Sequence, residues 1–80
     1  MTQKFNVGDV VKLLIANAGN SIYGGMITAE VGEQGVIIAV YDNSFWAYSV
    51  IIIDKIITDT PDNAWHMAAH ELELVTAYKQ

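Results

Sequence analysis

The residues best suited to metal chemistry lie near the C-terminal end of the chain. His66 and His70 are four residues apart, a spacing that on a helix places two imidazoles on one face, with Glu71 and Glu73 beside them. The zinc-protease pattern His-Glu-x-x-His requires glutamate at the position of Met67, so this pattern is absent. We predict ordinary polar or half-buried histidines here, no metal site and no cofactor.

Acid–base catalysis and phosphate binding have equally little support. Glu71 and Glu73 would project from the same face of a strand, but no apolar pocket of the kind that general acids occupy surrounds them in sequence. The pairs Gly24-Gly25 and Gly32-x-x-Gly35 lack the Lys-Ser/Thr of a phosphate-binding loop, so turns suffice to explain them. We predict no catalytic residues and a protein that is not an enzyme.

The aromatic residues are the stronger candidates for binding. Phe45, Trp46 and Tyr48 follow one another closely, and if 45–53 is a strand, alternation places Trp46 and Tyr48 on the face opposite Phe45. Aromatic-lined grooves bind peptides and modified side chains, although two or three of these rings are expected in the core. The residues predicted to contact a partner are Tyr23, Met26, Trp46, Tyr48 and Trp65.

The composition indicates that another molecule covers part of the surface. Apolar types make up 52% of the 80 residues and charged types 16%, against a usual charged share of about 25%. A single domain of this length, residues 1–80, has too little interior to hide so many apolar side chains, and large exposed apolar patches usually mark interfaces. We predict a protein partner, with a homodimer or larger homo-oligomer as one form of it.

The charge balance argues against nucleic acid as the partner. The net charge is −5, with nine acidic residues, four lysines and no arginine, and direct nucleic-acid binding needs clustered positive charge. The absence of cysteine favours a reducing compartment. The N-terminus has no apolar signal-peptide region, and the apolar runs are shorter than the roughly 18–20 residues of a membrane span. We expect a cytoplasmic protein that does not contact a membrane.

Strands are predicted to position these residues. Residues 10–15 are rich in β-forming types, with Val11 and Leu13 pointing inward and Val10 and Lys12 outward. Residues 36–41 and 45–53 should pair as a hairpin around the turn at 42–44. Both strands are apolar on both faces, which predicts that their outer face is covered.

Two segments allow alternative interpretations. Residues 16–30 have a loop composition yet contain Ile22-Tyr23 and Met26-Ile27; they form either a hairpin arm folded back on the core or a binding loop with Tyr23 and Met26 as contacts. Residues 64–75 form either a helix or a strand, a single 3-10 turn and a last strand. Periodicity alone does not separate the two.

Short motifs along most of the chain resemble the SH3-like small barrels, especially those encoded by phages and other mobile elements. The motifs are Val7-Gly8-Asp9-Val10-Val11, Gly32-x-x-Gly35-Val36-Ile37, Tyr48-x-Val50, and Trp65 followed by His70-Glu71-Leu72-Glu73-Leu74-Val75. The resemblance implies a mostly β fold: a five-stranded antiparallel SH3-like barrel with a long first arm and a 3-10 turn before the last strand. It also favours the β interpretation of residues 64–75.

Two functional hypotheses follow. The first is a small non-enzymatic interaction protein from a phage or mobile element, whose acidic surface would suit an inhibitor of a host nucleic-acid-handling or defence factor. The second is a ligand-binding or enzymatic homo-oligomer similar to the type II dihydrofolate reductases, with a pore or groove lined by Trp46, Tyr48 and Trp65. The reductase pore motif Val-Gln-Ile-Tyr corresponds here to residues 64–67, Ala-Trp-His-Met, which lack the glutamine and the tyrosine.

Overall fold

The chain folds into one antiparallel sheet and one separate hairpin. The structure, a computed structural model, describes residues 4–78. Its strands are β1 (Val10–Leu13), β2 (Asn17–Asn20), β3 (Met26–Ala29), β4 (Gln34–Val40), β5 (Tyr48–Ile51), β6 (Trp65–Met67) and β7 (Leu72–Thr76), and a 3-10 turn at Ala69–Glu71 precedes β7. The sheet has the order β6-β5-β4-β1-β7, and β2 pairs with β3 outside it.

This architecture confirms a mostly β protein with five antiparallel sheet strands, a hairpin after the first strand and a 3-10 turn before the last strand. The C-terminal part is strand, turn and strand, so the helical alternative for residues 64–75 is wrong. A closed barrel, which the resemblance implied, is not found. Within residues 4–78 the hydrogen-bonded sheet ends at β6 on one side and at β7 on the other.

The central strands pair as their apolar pattern predicts. In β1, Val11 and Leu13 are buried while Val10 and Lys12 are only half-buried, which confirms the predicted alternation. Strands β4 and β5 form the predicted antiparallel hairpin. Gly35 permits their close approach, because a Cβ atom at this position would lie 2.6 Å from the Ile51 carbonyl oxygen.

The core is built from one face of the sheet and one side of the arm. Its buried members come from every strand except β2 and from the adjoining connections: Phe5, Val11, Leu13, Ala29, Ile37, Tyr48, Val50, Ile52, Ile57, Trp65, Met67 and Leu72. Trp65 is the largest of them, and its indole Nε1 donates a hydrogen bond to the Lys55 carbonyl oxygen at 2.9 Å. The long connection between β5 and β6 is thereby held against the core.

A buried carboxylate joins the two ends of the described chain. Asp9 is almost fully buried, and its two carboxylate oxygens accept the backbone N–H groups of Asn6 and Tyr78, each at 2.9 Å. Gly8 adopts a positive φ of 95°, and its missing Cβ leaves room for the Tyr78 ring. These contacts fix the turn before β1 against the segment after β7.

An ion pair ties the arm to the sheet. Lys55 Nζ contacts Glu33 Oε2 at 2.6 Å and donates to the Thr28 carbonyl oxygen at 2.5 Å, and the Glu30 N–H donates to the same Glu33 oxygen. The Lys55 and Glu30 hydrogen bonds hold the pKa of Glu33 below its ordinary value. The network therefore links β3, the turn before β4 and the connection after β5.

The two tryptophans should differ sharply in their effect on stability. Trp65→Ala empties the core and leaves the Lys55 carbonyl without its donor, so we expect a loss of about 3–5 kcal/mol in the free energy of unfolding. Trp46→Ala removes a ring that is 55% exposed and should change stability by about 0.5 kcal/mol or less. Urea unfolding followed by circular dichroism measures both. Equal losses would contradict the assignment of Trp65 alone to the core.

Glu33→Gln should remove a small pH-dependent part of the stability. Because the pKa of Glu33 is lowered on folding, its contribution is present above the ordinary value of 4.5 and is lost as the pH falls through the lower pKa of the folded state. Both side chains are partly exposed, so the variant should lose about 1 kcal/mol or less at pH 7.

The matched control is Glu73→Gln, which breaks the more exposed pair with Lys12 at 3.0 Å. Urea midpoints at pH 7 and pH 3 should show that Glu33→Gln loses less stability on acidification than the unmodified chain. Glu73→Gln should follow the unmodified chain. An unchanged acid loss in Glu33→Gln would show that the Lys55 pair does not stabilise the fold.

Candidate functional site

Three of the five predicted binding residues lie on the surface. The exposed fraction is 90% for Tyr23, 68% for Met26 and 55% for Trp46. Tyr23 lies in the turn between β2 and β3 and Met26 begins β3, while Trp46 lies in the connection between β4 and β5. The structure therefore places them on two different hairpins.

The other two predicted residues are core residues, and their assignment to the surface is corrected. Tyr48 is 4% exposed; its hydroxyl accepts the Lys4 and Phe5 backbone N–H groups at 3.1 and 3.4 Å, and its ring packs edge-on against Phe5. Trp65 is 1% exposed. The error has a local cause: β5 begins at Tyr48, so Trp46 belongs to the preceding turn and does not share a face with Tyr48.

The end of the arm presents Ile22, Tyr23 and Met26, which we call the arm end. Ser21 and Gly25 close the turn through a 2.8 Å backbone hydrogen bond, and the Ile22 N–H donates to the Ile56 carbonyl oxygen at 3.1 Å. Ile27 packs against the core, whereas the side chains of the arm end remain exposed. The hairpin-arm interpretation thus holds for the backbone and for Ile27.

The connection at residues 41–46, which we call the aromatic loop, presents Tyr41, Phe45 and Trp46. It is closed by a 2.7 Å hydrogen bond from the Tyr41 N–H to the Ala47 carbonyl oxygen. The rings of Phe45 and Trp46 are nearly perpendicular, with centroids 5.2 Å apart. The two rings therefore meet edge to face.

Two shallow recesses adjoin the aromatic loop. The first has a volume of about 810 Å³ and is lined by Val40, Tyr41, Asp42, Asn43, Ser44, Trp46 and His66. The second has a volume of about 780 Å³; it shares residues 40–44 and adds Lys4, Phe45, Ala47, Tyr48, Ala68, Ala69 and His70. Tyr41 and Asp42 therefore line both recesses; the first adds Trp46 and His66, and the second adds the Lys4 side chain.

His66 is held at the first recess by a carboxylate. Its Nε2 lies 3.2 Å from Asp62 Oδ1, and its ring centroid lies 6.1 Å from that of Tyr41. Partial burial raises the pKa of Asp62, but the Ser49 and Thr60 hydroxyls, the Ala64 N–H and His66 together outweigh it and lower that pKa. The Ser49 hydroxyl is fully buried, and among residues 4–78 no group meets the distance and angle of a hydrogen bond to it. It nevertheless favours the ionised form of the Asp62 carboxylate.

The histidines and glutamates that suggested chemistry are separated in the fold. His70 packs near Phe45 in the second recess, away from His66. Glu71 accepts the Ala68 N–H at 2.8 Å and Glu73 pairs with Lys12, so the two carboxylates have separate structural partners. Within residues 4–78 no group of three or more His, Asp or Glu side chains is arranged to hold a metal ion.

The arm end and the aromatic loop lie at opposite ends of the molecule. Strand β2 begins beside Met67, where Asn17 Nδ2 approaches the sulfur at 3.5 Å, and Met67 pairs with Tyr48 next to the aromatic loop. From there the arm runs away from the loop until Ile22 meets Ile56, beyond the other end of β5. A single small ligand therefore cannot contact both surfaces.

The outer face of the sheet forms a third apolar surface. Val36 lies between its cross-strand partners Val10 and Ile51, and Ile38 follows at a register shift. Val36 and Ile38 are each 40% exposed. The predicted cover over this face is thus incomplete within the described chain.

Sequence reasoning missed Asp42 and His66 as parts of one site and did not select Phe45. The available signal was the turn Asp42-Asn43-Ser44, because a ring directly after a tight turn is poorly placed for burial. The contact between His66 and Asp62 depends on the course of the β5–β6 connection, which has no local sequence signature.

Comparisons with protein-family models, with curated proteins and with solved structures found no match to this chain. No helix in the described residues has both the length and the apolar character needed to cross a membrane. The function must therefore be inferred from the surfaces themselves.

Proposed function

We propose that this chain is a small, non-enzymatic protein-interaction module that binds a partner protein through the aromatic loop and the arm end. The observation that carries the proposal is the exposure of Tyr23, Phe45 and Trp46, at 90%, 65% and 55%. Large rings contribute most to folding when they are buried. Tyrosine and tryptophan are also the residue types most enriched at the energetic centres of protein interfaces.

Backbone geometry supports the proposal. The Tyr41–Ala47 and Ser21–Gly25 hydrogen bonds hold both turns closed, and Lys55 holds the arm against the sheet. A partner that binds such turns loses little free energy to loop ordering, because the backbone is already fixed. Exposed rings on fixed turns are suited to binding, while exposed rings on a mobile tail would contribute less.

We further propose that the fold belongs to the SH3-like small barrels of phages and mobile elements. The arm after β1 and the 3-10 turn before β7 support this assignment, since both were implied by the resemblance and both occur in the expected order. A closed SH3-like barrel would require that the sheet bends until its two edge strands, β6 and β7, approach each other. Fold alone does not determine which partner is bound.

The charge of the chain favours a basic partner in the cytoplasm. A net charge of −5 steers association toward positively charged surfaces, which are typical of proteins that handle nucleic acids. An inhibitor of a host defence factor is the biological role that suits such a protein best. In this role the chain would bind the factor itself and would not contact nucleic acid or a membrane.

The partly exposed outer face supports a second candidate, a homo-oligomer. Val10, Val36 and Ile51 form an uncharged row across three strands, and Ile38 extends it. A second copy could cover this row. The reductase-like form of this hypothesis is less well supported, because Tyr48 and Trp65 are buried and only Trp46 of its three proposed pore rings is accessible.

Capture of a partner should depend on the exposed rings. The purified chain would serve as bait in a lysate of the organism that carries its gene, together with Tyr23→Ala, Trp46→Ala and the control Val7→Ala. Val7 is 54% exposed and belongs to neither surface. We expect one protein to be recovered by the unmodified chain and by Val7→Ala, with at least a ten-fold loss for Tyr23→Ala or Trp46→Ala.

Circular dichroism should show that all three variants remain folded, since each changes an exposed side chain. Recovery of the same protein at the same yield by every variant would overturn the assignment of these surfaces. Recovery of no protein by the unmodified chain would overturn the proposal as a whole.

Self-association should depend on the outer face. We expect the unmodified chain to sediment as a dimer or larger species at micromolar concentration. Val36→Lys should sediment as a monomer, because it places a charge in the centre of the apolar row. The control Val31→Lys changes a more exposed valine in the turn before β4 and should leave association intact. A monomeric unmodified chain would exclude the homo-oligomer but not the interaction module.

A further inference from the structure

The first recess beside the aromatic loop combines three rings with an available carboxylate. Tyr41, Trp46 and His66 contribute ring surface, and Asp42 is the one carboxylate among the lining residues. Within residues 4–78 the Asp42 carboxylate makes no hydrogen bond and no ion pair. Other carboxylates of the chain already have structural partners, such as Glu33 with Lys55 and Asp62 with His66.

The surroundings of this recess attract positive charge. Asp62 contacts His66, one of the lining residues, with Oδ1 at 3.2 Å from Nε2, and its pKa lies below the ordinary value of 3.8. No lysine lines the recess, and the whole chain contains no arginine that could fill it from within. The second recess differs in this respect because Lys4 is part of its wall. Asp42 lines both recesses, but in the second its charge is offset by the Lys4 ammonium, so the first recess is the more attractive to a cation.

Aromatic faces and a carboxylate together recognise a cationic side chain. The negative face of an aromatic ring attracts a cation placed over it, and the chain already contains one such contact, between Lys4 Nζ and the Phe5 ring at 5.2 Å. The recess is shallow and open, so it does not strip water from a ligand. Guanidinium is planar and weakly hydrated, and it stacks on rings while forming two hydrogen bonds to one carboxylate, whereas ammonium is compact and strongly hydrated.

We propose that the first recess binds an arginine side chain from a basic segment of the partner protein, with its guanidinium stacked on Tyr41 and Trp46 and paired with Asp42. This inference rests on the proposed function, because it supplies the chemistry by which an interaction module of this kind selects its partner. Asp42 provides the charge pairing, and the rings provide the flat surface. His66, fixed by Asp62, completes the wall.

The test is a direct titration with short peptides, followed by ¹⁵N–¹H NMR. The probe is acetyl-Gly-Arg-Gly-amide, and the comparison peptides replace arginine with lysine or with citrulline, its uncharged counterpart of similar shape. We expect the arginine peptide to shift the Trp46 indole and His66 signals, with weaker binding of the lysine peptide and none of the citrulline peptide. Equal binding of either comparison peptide would overturn the assignment of arginine.

Two variants with the same change in net charge test whether the arginine peptide binds at the first recess. Asp42→Asn and Asp54→Asn each remove one negative charge, but Asp54 lies in the turn after β5 and does not line the recess. We expect Asp42→Asn to weaken arginine binding about five-fold or more, as for loss of a charge-assisted pair at a surface. Asp54→Asn should leave it unchanged. Equal weakening would show that only the overall charge of the chain attracts the peptide.

The outcome separates this inference from the proposed function. Partner capture that depends on Trp46, without any binding of the arginine peptide, would overturn the arginine assignment and leave the interaction module standing. Peptide binding at the first recess, combined with a partner recovered equally by Trp46→Ala and Tyr23→Ala, would support the recess while overturning the proposed function.

Discussion

The packing of the Trp65 indole determines how the arm and the long β5–β6 connection are placed. Its Nε1 hydrogen bond holds the Lys55 carbonyl, and its outer edge lies so close to β2 that a Cβ at Gly19 would stand 3.4 Å away. A Cβ there would also meet Ile57 at 3.0 Å, so glycine allows β2 to pass over both side chains. Once Lys55 is held in this way, its ammonium reaches Glu33 and Thr28. The arm thus owes its position to a single buried ring and the contacts around it.

A small interior explains why other rings remain outside. The core accepts Phe5, Tyr48 and Trp65, and strand β5 has both faces buried near Ser49. Strand β5 is flanked by β4 and β6, so no strand edge beside it is left open to take a further ring. Phe45 and Trp46 belong to the turn that the Tyr41–Ala47 hydrogen bond closes, outside the strands that build the core. Their exposure is therefore a consequence of the backbone path.

Local patterns predicted the strands better than the faces of the largest side chains. The alternation in β1, the β4–β5 hairpin and the strand after the 3-10 turn all follow from period-two patterns and turn residues. Alternation over residues 45–53 predicts Trp46 and Tyr48 on one face, but β5 begins at Tyr48, three residues after the predicted start. Leu74 pairs with Val11 in the same register that pairs Leu72 with Leu13, yet it is 46% exposed while Leu72 is buried. Bulges and strand starts depend on tertiary contacts, which sequence alternation does not contain.

The distribution of carboxylates separates structural from recognition roles. At the arm, Asp59 accepts the Asn20 backbone N–H at 2.7 Å and Glu33 pairs with Lys55, so the acids there stabilise the hairpin. Near the chain ends, Asp9 is fully used in joining the N-terminal turn to Tyr78. At the aromatic loop, Asp62 holds His66 while Asp42 has no partner within the described residues. Because the structural carboxylates already have their partners, a basic ligand competes with no stabilising pair at Asp42. The chain can therefore recognise positive charge at the aromatic loop without losing an ion pair on which its fold depends.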